Sequence, residues 1–143
     1  MDVDAIRLGL AAAVKAEIPS MHCPDNGFIA PNPPAFFLHD FTVNYHKTMR
    51  YASEIEGICR VVVGRQDPES GGRMIRDLAG DGPGSVFYAI EKPRITLGQT
   101  QELGGACDDC QVTLIRGYRG YVYPVGTLIG FELLFRAIGE RAS

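Results

Sequence analysis

Residues 35–45, AFFLHDFTVNY, followed at 54–65 by EIEGICRVVVGR, decide the fold. In the first run Phe37, His39, Phe41, Val43 and Tyr45 fall on one side, and Phe36, Leu38, Asp40, Thr42 and Asn44 on the other. A period of two is the mark of a strand. In the second run Ile55, Cys59, Val61 and Val63 share one face, and Glu54, Glu56 and Arg60 the other. The connection HKTMRYAS, 46–53, is polar but carries Met49 and Tyr51. It is longer than a tight turn, so the two strands are expected to extend into a projecting β-hairpin arm at about 44–54.

Upstream, Asp2 to Glu17 reads as a helix, with Val3, Ile6, Leu10, Ala13 and Val14 on one stripe, an acidic N-cap, and Pro19 as its stop. Ser20 to Pro34 carries four prolines and reads as a stiff surface loop. Downstream, Asp67-Pro68-Glu69 is expected to open a helix that buries Met74, Ile75 and Leu78 and is broken by Gly80–Gly84. Ser85 caps a short third helix, with Val86, Phe87, Ala89 and Ile90, that Pro93 should stop. Arg94 to Asp109 reads as irregular.

The last third predicts a three-stranded meander. Its strands are Gln111–Arg116, Tyr121–Val125 and Leu128–Ile138, with turns at Gly117–Gly120 and Gly126. Phe131, Leu133 and Phe135 face one way, and Glu132, Leu134, Arg136 and Ile138 the other. The order α, β, β, α, α, β, β, β implies an α+β domain: a mostly antiparallel sheet with helices on one face.

The 143 residues form one domain, 1–143, large enough to bury about 68% of the extended chain's surface. Hydrophobic residues are 45% and charged residues 22%, which excludes wholesale disorder. A formal charge of −3 argues against a basic nucleic-acid-binding domain. No apolar stretch approaches the ~20 residues of a membrane span. The start, Met-Asp-Val-Asp, is acidic where a secretory signal is basic. The chain is therefore expected to be soluble and intracellular, with Cys23, Cys59, Cys107 and Cys110 as thiols.

Catalytic patterns are lacking. Cys107-Asp108-Asp109-Cys110 is a C-x-x-C, but it follows a Gly-Gly turn, enters a strand and has no second C-x-x-C. A zinc or redox role for Cys107 and Cys110 is the weaker reading, and two small residues at a strand start the stronger. His22, His39 and His46 have no nucleophile in a recognisable elbow, and no phosphate-binding glycine motif is present. Glu54 and Glu56 read as a solvated face. The chain is thus not expected to be an enzyme, and no cofactor is expected.

Two patches suit contact with other proteins instead. Tyr118, Arg119, Tyr121 and Tyr123 crowd one segment beside Arg116, and Tyr and Arg are the residues favoured at interface hot spots. Cross-strand pairing within the sheet is the equal alternative for these tyrosines. The arm residues Tyr45, His46, Lys47, Thr48, Met49 and Arg50 form the second candidate surface.

Four stretches, covering nearly the whole chain, carry a family resemblance: MDVDAIRLGLAAAVKAEIP, FTVNYHKTMRYASEIEGICRVVVGRQDPES, DGPGSVFYAIE and LGGACDDCQVTLIRGYRGYVYPVGTLIGFELLFRAIGE. Together they resemble the tail-terminator, or tail-completion, proteins of phages with long non-contractile tails, especially those of actinobacterial hosts. The loop Met21–Pro34 is longer than that pattern, and Cys107 and Cys110 stand where small apolar residues are expected. The resemblance implies a virion protein of the tail–neck junction, assembled in the host cytoplasm. Six copies ring the end of the tail tube, stop its polymerisation and offer a surface to the head–tail connector or stopper protein. DNA passes through the lumen without specific binding. A head–tail connector or stopper protein of the neck is the nearest alternative.

Overall fold

The computed structural model describes residues 1–24, 33–45, 52–65, 70–124 and 126–140. Seven elements follow in order: α1 (Val3–Glu17), β1 (Ala35–Tyr45), β2 (Ala52–Arg65), α2 (Ser70–Ala79), α3 (Val86–Leu97), β3 (Asp109–Tyr123) and β4 (Gly126–Glu140). The strands form one sheet in the order β1-β2-β4-β3, every neighbour antiparallel. The fold is α+β.

Local chemistry accounts for the helices. Asp2 caps α1 by accepting the Asp4 N–H at 3.0 Å, and Ile6, Leu10 and Val14 bury one stripe at spacings of four. Gly9 lies against the backbone of Leu103: a Cβ there would sit 2.7 Å from the Leu103 carbonyl oxygen. Ser85 caps α3 through Tyr88 N–H at 3.1 Å. That helix does not stop at Pro93; it runs four residues further and ends at Gly98, whose φ of 63° is left-handed. Pro93 removes one intrahelical donor. The side chain of Gln101 donates to the Ile90 carbonyl at 2.7 Å in the turn just before it. Arg94 is also gripped from both sides, as described below. The expected opening of α2 at Asp67-Pro68-Glu69 lies outside the described residues.

The helices share one face of the sheet. Ile6, Leu10 and Val14 of α1, Ile75 and Leu78 of α2, and Val86, Ala89 and Ile90 of α3 pack on Phe36, Ile55, Cys59, Val61, Cys110, Phe131, Leu133 and Phe135. A glycine makes room at the centre: a Cβ on Gly57 would lie 2.4 Å from the Phe135 ring.

The predicted meander is instead one hairpin of two long strands. Gly117–Gly120 is not a turn. Pairing of β3 with β4 continues through it, with a register shift between Arg116 and Arg119 and Gly117 at φ 73°. A bulge admits the one extra residue without reversing the chain. A second bulge, between Leu38 and Asp40, overturns the single alternation expected for β1. It switches the face, so Phe36, Leu38 and Val43 all belong with the main core, while Phe37 points the other way.

The expected projecting arm is corrected at its base. Asn44 pairs with Glu54 and Tyr45 with Ser53, and these in turn pair with Ile138 and Gly139 of β4. Both rungs are ordinary parts of the sheet. The tip, His46–Tyr51, lies outside the described residues.

Candidate functional site

The face of the sheet away from the helices has two halves. At one end Ala35, Phe37, Val62, Tyr121, Tyr123 and Leu128 form a small core of their own. At the other, Asp40, Thr42, Glu56, Ile58, Leu134 and Arg136 line a groove of about 370 Å³.

Arg60 stands where the small core meets the polar part of that face. Its guanidinium donates to Tyr123 Oη at 3.2 Å, to Glu132 Oε2 at 3.3 Å and to His39 Nε2 at 3.1 Å, and lies 4.2 Å from the centre of the Tyr121 ring. A guanidinium only donates, so His39 Nε2 accepts and the imidazole is neutral, with its proton on Nδ1. Burial, then the Arg60 charge, holds the His39 pKa below 6.5. Glu132 also meets Arg116, at 3.6 Å. Tyr121 Oη donates to Gly117 O at 2.5 Å, which ties the bulge to the rest of β3. Arg119 lies 5.2 Å from the Tyr121 ring centre.

The four aromatic-segment candidates therefore separate. Tyr121 and Tyr123 are 6% and 8% exposed and belong to the small core, the cross-strand role weighed for them from the sequence. Tyr118 is 64% exposed, and Arg119 is also exposed. Of the second patch, Tyr45 is 63% exposed, while His46, Lys47, Thr48, Met49 and Arg50 lie outside the described residues.

A second polar cluster clamps α3 to β3. Arg94 bonds both Glu91 and Asp109. Glu91 also accepts the Val112 N–H at 2.8 Å, and Asp109 the Gln101 N–H at 3.1 Å. Sequence reasoning missed this cluster, although Glu91 and Arg94 carry the i,i+3 spacing of a helical ion pair. It also missed the Arg60–Glu132 pair, whose two charges stand each inside an apolar run, ICRVVV at 58–63 and GFELLF at 130–135.

Glu54 is buried, not solvated as expected, whereas Glu56 is exposed. Cys107 and Cys110 are both buried free thiols. Burial, then the nearby Asp109 and Asp108 charges, pushes the Cys107 thiol up to about 11. Burial pushes the Cys110 thiol up as well. Neither carries the lowered pKa of a reactive cysteine. Among the described residues, no three His, Cys, Asp or Glu side chains are placed to hold a metal ion, and no helix is long and apolar enough to cross a membrane.

Arg60, Glu132 and Arg116 are thus held by one another, while Arg119 is exposed on the same face. Comparison of the sequence with protein-family models and with curated proteins finds no match.

Proposed function

We propose that this chain is a structural virion protein, a tail terminator that forms a homohexameric ring on the end of a phage tail tube. The ring stops tube growth and presents a surface to the head–tail connector. The reading takes its identity from the resemblance of the four sequence stretches. One observation carries it further: large apolar side chains are exposed on both edges of the same sheet. Phe41 and Tyr45 stand on β1, and Leu114, Tyr118 and Val122 on β3. A closed ring is built from heterologous contacts, which need two different patches on each subunit. A terminator needs further surfaces for the tube and the connector, and these two patches are candidates for two of the set.

Size and charge support the same reading. A 143-residue domain has a radius of gyration of about 14.5 Å, equivalent to a sphere of about 19 Å radius. Six touching spheres leave a central hole of equal radius, wide enough for duplex DNA. Six chains of formal charge −3 carry about −18, which disfavours phosphate binding and lets DNA slide.

Deleting the gene from its phage tests the proposal. Overlong tails are the expected result, and purified protein should cap the ends of tail tubes in negative-stain images. Tails of normal length beside leaking heads would assign the chain to the neck as a stopper instead. Tight, salt-sensitive DNA binding by the purified protein would contradict the sliding lumen.

A further inference from the structure

The edge of a sheet is a row of unused N–H and C=O groups, and folded proteins blunt the edges they do not use. Both edges of this sheet carry such guards, each over part of its length. Along β1, His22 lies beside the first residues as a bridge, donating to Pro34 O and accepting from Phe36 N, both at 2.8 Å. A bulge follows between Leu38 and Asp40, and Asp40 then covers the Phe41 N–H with its own carboxylate at 2.8 Å. The first half of β3 is also guarded. Glu91 takes the Val112 N–H, a bulge follows between Val112 and Leu114, and Tyr121 Oη takes Gly117 O at the next bulge.

Every guard stops before Tyr118. From Arg119 to Tyr123 the strand pairs with β4 in unbroken register, and among the described residues nothing bonds to its outer edge. Val122 is 85% exposed. Arg119, Tyr121 and Tyr123 alternate on the open face, with Gly120 and Val122 on the other. Arg116 and Arg119 are the sole charged residues between Leu114 and Tyr123.

We infer that the Tyr118–Tyr123 edge of β3 is a strand-addition site for an extended segment of a partner protein in which acidic and apolar residues alternate. Main-chain bonds along the free edge hold the segment. Its acids lie beside Arg119 on the open face, and its apolar side chains beside Val122 on the other. A second copy of this strand is the poorer occupant, because residues 114–123 carry no acid to meet Arg119. The β1 edge of a second copy is guarded as far as Phe41, and the stretch beyond it, residues 42–45, carries no acid. The inference stands on the edges alone and holds even if the ring reading fails.

The test uses the full chain and two fluorescent ten-residue peptides, one alternating Glu and Val, the other Lys and Val. Anisotropy should show the acidic peptide binding at least tenfold more tightly than the basic one, and more weakly as salt rises. Amide exchange at 118–123 should slow when it binds. Arg119→Glu should reverse the preference. Because Arg119 stacks on Tyr121, Val122→Ser provides a variant at an exposed position, and it should weaken acidic-peptide binding severalfold by removing the apolar contact on the other face. The inference is overturned if the peptides bind equally or neither binds at millimolar concentration. It is also overturned if slowed exchange maps to β1, or if sedimentation shows the chain dimerising through β3.

Discussion

The two faces of the sheet solve burial in opposite ways. The helix-covered face is one continuous apolar core, with Phe131, Leu133 and Phe135 of β4 at its centre. On the open face the buried hydrophobic cluster among the described residues has six members, and it ends at a guanidinium wrapped by two tyrosines, a histidine and a glutamate. The first face is held by area. The second is held by polar groups that must all find each other, because a buried charge without its partner costs more than the pair contributes. Stability therefore rests on the covered face, and among the described residues no helix packs on the open one.

That contrast is broken most directly from the covered side. Phe131→Ala should cost about 3–5 kcal/mol in chemical denaturation, the range for emptying a large buried aromatic site. A loss below about 1 kcal/mol would mean that the helices do not close on β4 as described. On the open side Glu132→Ala should cost about 2–4 kcal/mol, the range for breaking a buried pair reduced for the partial exposure of Arg60. If Glu132→Ala is as stable as the parent, the Arg60 cluster does not hold this face together.

The next comparison lies within β3. Tyr121→Ala should lower the melting temperature by several degrees, because it empties the small core and frees the Gly117 bulge. Tyr118→Ala, three residues earlier, should change stability by no more than about 0.5 kcal/mol. It should instead weaken capping of tail tubes. Equal melting temperatures for the two variants would erase the distinction between buried and presented tyrosines.

The smallest effect is a pH dependence from His39. Its pKa is lowered in the folded chain, by burial first and by Arg60 second. Between that lowered value and 6.5 the unfolded chain binds more protons, so stability is present above pH 6.5 and is lost as the pH falls through the folded value. Comparing melting temperatures at pH 7.5 and 5.5 should show a larger drop for the parent than for His39→Gln.

Much of this was legible in the sequence. The stripe Ile6, Leu10, Val14 and the cap Asp2 are local features, so α1 was readable to within a residue. The alternation of Ile55, Cys59, Val61 and Val63 placed all four on the covered face. What failed was long-range. Gly117 and Gly120 carry the composition of a turn, and only pairing with β4 decides that they form a bulge. Pro93 carries the signal of a helix stop, which tertiary bonds to Arg94 and Ile90 override. Of the candidate surface residues, Tyr118 and Tyr121 differ in burial because the bulge between Arg116 and Arg119 leaves Tyr118 out of the β4 register while Tyr121 pairs with Leu128 in the small core, and no local pattern announces that bulge.

Gly9 gives the sign of a substitution two values. A mid-helix glycine is the weaker helix former, so in an isolated peptide spanning residues 1–19 Gly9→Ala should raise helicity, by about 1 kcal/mol of propensity. In the whole protein the added methyl meets the Leu103 backbone at 2.7 Å, and α1 would have to lift away from the loop beneath it. One change thus improves the fragment and harms the molecule, so a stabilisation strategy that scores helices one at a time would choose the wrong residue here.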